Sequence, residues 1–388
     1  MVNRSLLRKL PYGADMVEAF DARIREIASR YIEELRRDAD NEANPIRDIV
    51  MRCVDQLSRR TDAQSNPNNY ALSVILRDNR HALWNTKVLG SELARMLYDS
   101  KVAGPSARIP PVPVRANLSS KICTQEDIEQ DWLRYWCGQL RMAPLYHRKI
   151  WEDCFVLQVL WEHDMLRPGR SGLGFAIGLE PLPAYLASTG VSVLATDLSD
   201  DDPRAEGWRA TNQHAGGLTS LFANNLLSRE RFDELCQFRP VDMNQIPADL
   251  HGRFDFCWSI CSFEHLGSIE RGLAFFAESM RCLKPGGLAI HTTEFNLDGT
   301  GETIDNWATV LFQRRHIEDL ATRLAVEGHR LYEVDFDTGE GVLDQFIDVP
   351  PFSHQDSIRL QYPDPPHLRL SVDGFPATSI GLIAQARA

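Results

Sequence analysis

Asp197, His265 and Glu294 are the side chains whose types and positions offer chemistry, each at or just after the end of an apolar run. A carboxylate that ends a strand accepts both hydrogens of a ribose diol. A histidine, which titrates near neutrality, can take a proton from a hydroxyl, and so can a glutamate at a strand's carboxyl end. Positioning falls to the elements around them. Ser171-Gly-Leu-Gly-Phe-Ala-Ile-Gly178 is an apolar run punctuated by glycines, a helix opens after it at Pro181 or Pro183, and Val193-Leu-Ala-Thr-Asp197 is a second apolar run. This is how an open α/β sheet builds a nucleotide site. Gly174 and Gly178 lie where a missing Cβ lets the backbone turn sharply and a ligand come close. A nucleoside-containing cofactor is expected.

The start of the helix selects among cofactors. A dinucleotide fold keeps its helix N-terminus free to face a pyrophosphate. Here Leu179-Glu-Pro-Leu-Pro183 puts the carboxylate of Glu180 where a phosphate would lie, and like charges repel. A cation without phosphate is favoured. S-adenosylmethionine fits, having a ribose for Asp197, an ammonium group and a sulfonium.

From here the chain resembles the class I S-adenosylmethionine-dependent methyltransferases. Phe238-Arg-Pro-Val-Asp242-Met243 looks like their third strand, whose terminal acid and next residue flank the adenine. Phe254-Asp-Phe-Cys-Trp-Ser-Ile260 looks like the fourth, and Cys-Ser-Phe-Glu264-His265-Leu after it is similar to the family's Glu-His signature. Ser268 to Cys282 reads as an amphipathic helix. Leu283-Lys-Pro-Gly-Gly287 resembles the turn into a fifth strand, Leu288 to Phe295, and His329 to Phe336 and Thr378 to Ala386 supply the last two. The resemblance implies an α/β fold with a Rossmann-like sheet, mostly parallel with the last strand antiparallel. It also implies cofactor contacts from Gly174, Ala176, Gly178, Glu180, Asp197, Leu198, Asp242, Met243 and Ser259. The first motif departs from the pattern. Where the family has an acid and then three glycines at alternate positions, this chain has Gly174, Ala176, Gly178 and Glu180, so only the central glycine is retained. Glu180 is read as having taken over contact with the cofactor's ammonium end. Gly-x-Glu-Pro-Leu-Pro-Ala, Glu-His-Leu-Gly-Ser and His-Thr-Thr-Glu-Phe-Asn look like a bacterial subgroup associated with glycan or surface-polysaccharide biosynthesis.

Methyl transfer from a sulfonium is an in-line displacement, so the protein's main task is to hold the acceptor against the methyl carbon. A hydroxyl acceptor must also lose its proton. His265, beside Glu264, is the first candidate base, and Glu294 is its rival. In many proteins of this class the histidine of the pair instead caps a helix or touches the adenosine. His291 falls within strand alternation and reads as a core residue. Asp200, Asp201 and Asp202 read as a solvated loop, so no metal is expected. Trp208 to His214 either folds over the cofactor or ends a helix at Thr211. An insertion at about 344–372 interrupts the final strands and is expected to bind the acceptor, with Asp348, His354, His367 and Arg369 as its polar side chains.

A chain of 388 residues accommodates a full α/β domain and a smaller unit. The reading divides it into a helical N-terminal region, residues 1–120, and a methyltransferase domain, 121–388, that includes a helical cap before the first strand. From Met16, the spacing of Phe20, Ile24, Ile27, Tyr31 and Leu35 predicts an amphipathic helix, and Ile46 to Leu57 predicts a second. These pack on the protein or form a homo-oligomer contact. Gly104 to Pro113 reads as a linker. Gln125 to Leu140 and Tyr146 to Asp164 read as helices whose aromatic residues belong mainly to the core. A net charge of −12 argues against nucleic acid or an anionic membrane as partner. No apolar run is long enough to span a bilayer, the first residues lack a signal-peptide core, and the 8 cysteines show no paired metal-ligand spacing. A cytoplasmic protein with reduced, buried thiols is expected. The function expected is methylation of a hydroxyl on a sugar, nucleotide-sugar or glycan. The alternatives are N- or O-methylation of another small metabolite, or a non-catalytic scaffold on the same fold.

Overall fold

The computed structural model describes residues 70–103, 108–211, 213–223, 225–299, 301–350, 352 and 365–388. The two amphipathic helices expected between Met16 and Leu57 lie outside them, as do part of the expected linker and His354. The chain divides into two units, Met1–Val88 and Leu89–Ala388. Helix α1 (Tyr70–Leu97) includes the described part of the first unit and the beginning of the second. The second unit carries the sheet and the cavity.

Its elements in chain order are β1 (Ser120–Ile122), α2 (Gln125–Glu129), α3 (Asp131–Leu140), α4 (Arg148–Glu162), β2 (Ser171–Gly174), α5 (Leu182–Ser188), β3 (Ser192–Asp197), α6 (Glu206–Ala210), α7 (Arg229–Leu235), β4 (Cys236–Pro240) and β5 (Phe254–Ser259). Then come α8 (Ile269–Met280), β6 (Leu283–Asn296), α9 (Arg314–Val326), β7 (Arg330–Leu331), β8 (Val334–Asp335), β9 (Ile347–Asp348), β10 (Arg369–Val372) and β11 (Phe375–Gln385). The main path through the sheet is β4-β3-β2-β5-β6-β11-β1-β8. Strands β2 to β6 pair in parallel, and β11 runs antiparallel to β6 from Ala377↔Asn296 to Gln385↔Leu288. The Rossmann-like sheet expected from the sequence is therefore present.

Strand order reverses between β2 and β5, because β3 and β4 extend the sheet one way and β6 the other. Helices leaving neighbouring strands on opposite faces open a crevice at such a point, beyond the strands' carboxyl ends. β5 is buried along its whole length, as a central parallel strand must be. Phe256 and Trp258 pack into the core that holds α3, α4 and α5, whereas Cys257 joins the core of α8 and α9 on the other face. The two glycines of β2 make room for this packing. A Cβ on Gly172 would lie 2.5 Å from the Phe256 ring, and one on Gly174 would lie 2.5 Å from the Trp258 ring.

One expected strand differs. His329 to Phe336 is broken into β7 and β8, and only β7 pairs with β11 there. Further along β11 the partner is β1, with Lys121 opposite Gly381, and β8 is added outside β1 in parallel. A three-residue strand from before the cap helices thus completes the edge. Gln130 is extended, at φ −81° and ψ 153°, and divides the expected helix from Gln125 to Leu140 into α2 and α3. Among the described residues, no helix is long and apolar enough to cross a membrane.

Helix α4 is buried on nearly every side and rests directly on β11. Gly381 permits this contact, since a Cβ there would lie 2.4 Å from the fully buried ring of Phe155. Gly381→Ala is expected to destabilise the protein by about 1–3 kcal/mol through overpacking. Adding Phe155→Leu should restore part of that loss in urea unfolding, whereas additive losses would place the strain elsewhere.

Candidate active site

A cavity of about 460 Å³ opens at the switch point. It is lined by the turns after β2, β3, β4 and β5, with Lys149 and Asp153 of α4 on one side and Trp208 of α6 on another. Ala176, Gly178, Glu180, Asp197, Leu198, Asp242, Met243 and His265 all line it. Four sequence candidates do not. Gly174 lies under the Trp258 ring and gives its carbonyl to the Thr196 hydroxyl. Ser259 is fully buried, bonded at 2.8 Å to Nδ1 of His291. Glu264 and Glu294 are buried outside the cavity lining.

The turn after β2 runs through left-handed backbone at Ala176, φ +44°, and Gly178, φ +50°. A Cβ at Gly178 would approach the Gln213 carbonyl to 2.6 Å, so this one glycine of the family pattern is sterically required. Asp197 ends β3 and accepts three backbone N–H bonds, from Leu198 at 2.8 Å, Ala215 at 3.1 Å and Gly178 at 3.2 Å. Burial pushes its carboxyl upward, against these donors and His214. A carboxylate has about four acceptor positions, so roughly one remains for a ligand. Asp197 thus ties three loops together at the cavity wall. Asp242 accepts from Asn244 N at 2.9 Å and pairs with Arg204 at 2.9 Å.

Glu180 meets the indole N–H of Trp258 at 3.3 Å. Burial is the largest influence raising its carboxyl well above the ordinary range, and the charge of Asp153 adds to it. Asp153 itself is pushed up to about 8 by burial and by Glu152, against the pull of Lys149. Its Oδ1 has no hydrogen-bond partner among the described residues. Sequence reasoning missed Lys149 and Asp153 because their helix reads as aromatic core. Spacing does not single them out, because Arg148 and Glu152 of the same helix are charged as well and serve the buried network.

On the wall formed after β5, His265 Nδ1 lies 3.0 Å from the Ala308 carbonyl and 3.2 Å from the Thr309 hydroxyl. A carbonyl can only accept, so Nδ1 is assigned the proton and Nε2 the lone pair. Oε1 of the fully buried Glu264 lies 3.9 Å from that Nε2, while Thr293 donates to Oε2 at 3.0 Å. The Trp208 ring stands edge-on to His265, with 4.6 Å between centroids.

Glu294, the other candidate base, is engaged by Arg148 at 2.5 Å. Arg148 also reaches Glu152 at 3.2 Å, and Glu152 accepts from Thr292 at 3.2 Å and from Ser379. This buried network joins α4 to β6 and β11. His291 lies in the core between two serine hydroxyls, pushed down to about 3 by burial and therefore neutral.

Remaining candidates have structural partners. Asp202 is bound by Arg204, and no cluster able to hold a metal occurs among the described residues. Thr211 ends α6, its hydroxyl bonded back to Gly207, and Asp348 pairs with His367 at 2.8 Å. Arg369, expected at the acceptor, is instead buried and consumed by Asp344 and the carbonyls of Cys123 and Thr338. The seven cysteines described are free and buried.

Residues 173–291 match the family model for a methyltransferase domain. That segment is a methyltransferase domain. Its sheet is that of the class I S-adenosylmethionine-dependent methyltransferases. Comparison with curated proteins gives no match. Among solved structures, phosphoethanolamine N-methyltransferase 2 of Haemonchus contortus in complex with S-adenosyl-L-methionine is 15% identical, with 60% of this chain and 52% of that chain covered and a TM-score of 0.36. Magnesium protoporphyrin IX methyltransferase from Synechocystis PCC 6803 is 12% identical, with 76% and 99% covered and a TM-score of 0.37. The 1,6-didemethyltoxoflavin-N1-methyltransferase of Burkholderia thailandensis is 17% identical, with 59% and 76% covered and a TM-score of 0.34. The chain spans about half or less of several solved structures it matches, 52% of one and 37% of another.

Removing one partner from the buried network should be costly. Glu294→Gln is expected to destabilise the protein by about 3 kcal/mol, because Arg148 keeps its charge and loses its shortest contact. Burial alone would raise the carboxyl of Glu152, but Lys149, Arg148 and Ser379 outweigh it and hold the group below its ordinary 4.5. Its contribution to stability is therefore complete above about pH 4.5 and is lost as pH falls through the lower, folded value. Urea unfolding from pH 7 to pH 3 should decline less steeply in Glu152→Gln than in the wild type.

Proposed function

We propose that this methyltransferase domain uses S-adenosylmethionine to methylate a hydroxyl group, on a sugar, nucleotide-sugar or glycan, in the cytoplasm. The observation that carries the reading is the pair His265 and Glu264 at the cavity wall, with Nε2 of the imidazole left as acceptor and a buried carboxylate 3.9 Å away. The residues present suit the cofactor. The unpartnered Asp153 Oδ1 and the raised Glu180 carboxyl call for a cation, and Asp197 keeps about one acceptor position for a ribose hydroxyl. Leu198, Asp242 and Met243 line the nucleoside end, where the guanidinium of Arg204 is paired with Asp242. When bound, the cofactor supplies a methyl group activated by its sulfonium.

The protein's own part is positioning and proton removal. Trp208 gives the cavity an aromatic ring of the kind that stacks on a sugar, and Gln213, Asn244 and Ser262 add neutral hydrogen-bonding groups. His265 takes the acceptor's proton at Nε2, while the Ala308 carbonyl holds Nδ1–H and fixes the tautomer. Glu264, pushed up by burial and pulled back by His265, is placed to stabilise the imidazolium that forms. The glycan assignment rests on the Glu-Pro-Leu-Pro and Glu-His-Leu-Gly-Ser segments together with Trp208.

His265→Ala should lower turnover by roughly 10²–10⁴-fold while leaving cofactor affinity nearly unchanged. Steady-state kinetics with a labelled methyl donor, beside calorimetric titration of the cofactor, checks both. A folded Glu294→Gln protein that loses turnover while His265→Ala retains it would reassign the base. If neither matters, the acceptor is an amine that arrives neutral or methyl transfer proceeds by positioning alone. No heat on titration with S-adenosylmethionine would leave the chain a scaffold.

A further inference from the structure

We infer that Asp153 and Glu180 form a paired-carboxylate seat for a primary ammonium group, with Lys149 placed for a neighbouring carboxylate. The cofactor's α-amino acid end is thus read by helix α4, which precedes the nucleotide-binding strands. The inference rests on the proposed use of S-adenosylmethionine. Lys149, Asp153 and Glu180 line one cavity. Asp153 is only 9% exposed, yet its Oδ1 has no hydrogen-bond partner among the described residues. A buried polar atom left unpaired in a native structure calls for a ligand, ion or water.

The charges near Asp153 give that ligand its sign. Glu152 and Lys149 of its own helix and Glu180 of the turn after β2 act on it or are acted on by it. Glu152 is already held by Arg148 and Ser379, and Lys149 reaches Glu152 at 3.4 Å. The charge of Asp153 acts on Glu180 in the same cavity, and Lys149, the cation acting on both, is engaged by Glu152. Near neutral pH the ligand-free site keeps a proton on Asp153, since its carboxyl lies at about 8. An arriving ammonium displaces the protons that burial holds on the two carboxyls and binds both carboxylates. Lys149 stays charged and answers the negative end of the same zwitterion.

Two ligands separate this seat from the rest of the site. S-adenosylhomocysteine carries the α-amino acid end, whereas 5′-methylthioadenosine has the same nucleoside and thioether without it. In calorimetric titrations of the full chain, Asp153→Asn should weaken S-adenosylhomocysteine by roughly tenfold or more and leave 5′-methylthioadenosine within about twofold. Wild-type protein at pH 7, titrated in phosphate and in Tris, should release protons with the first ligand and none with the second. Equal weakening of both ligands, an unchanged affinity for S-adenosylhomocysteine, or equal proton release overturns the seat. Should Asp153→Asn not fold, Glu180→Gln is put to the same comparison and should weaken S-adenosylhomocysteine while sparing 5′-methylthioadenosine. If the wild type binds neither ligand, the cofactor proposal falls as well; if it binds both and Asp153→Asn changes nothing, only the seat falls.

Discussion

Arg148 holds the cap to the catalytic sheet. Its guanidinium is almost wholly buried and is shared between Glu294 of β6 and Glu152 of its own helix, which in turn accepts from Ser379 of β11 and Thr292 of β6. Such charges are expensive to desolvate, and the cost is offset only when the hydrogen bonds fit. Helix α4 is thereby held in one position over the carboxyl ends of the strands. Lys149 and Asp153, one residue and five residues after Arg148, reach the cavity because that position is fixed.

Glycine use follows the same demand for close approach. Gly172 and Gly174 admit the rings of β5, Gly381 admits Phe155, and Gly178 passes the Gln213 carbonyl in a left-handed turn. Three of these four serve packing, and only Gly178 lines the cavity. The pattern read from sequence as a ligand cradle is therefore mostly a device for laying large aromatic residues against a flat strand.

The cavity concentrates carboxyl groups that the fold does not neutralise. Asp153, Glu180 and Asp197 are all pushed upward, burial being the largest influence on each. An acid whose folded value is raised destabilises the protein as pH climbs from its unfolded value to its folded one. The ligand-free domain thus carries a cost at the site of binding, as functional sites commonly do. The opposite arrangement holds at the base of the sheet, where Lys284, Ser171 and Arg170 outweigh burial and hold Asp255 at about 2.

By itself the sequence determined the succession of strands along the chain and the placing of Asp197, Asp242 and His265 at or just after their ends. Those features are local: apolar runs of strand length, turn chemistry and a carboxylate at a strand end can each be read within a few residues. Tertiary structure alone decided which polar groups meet. Glu294 and His265 looked equivalent as bases, yet β6 carries Glu294 to Arg148, while a turn after β5 leaves His265 on the cavity wall. Arg369 looked available for an acceptor and is consumed by Asp344, 25 residues away. Ser120–Ile122 pairs with β11, while His329 to Phe336, expected as one strand, is broken into β7 and β8. Asp153 gave no local sign of function, because packing and not periodicity buries it and brings Glu180 to the same cavity.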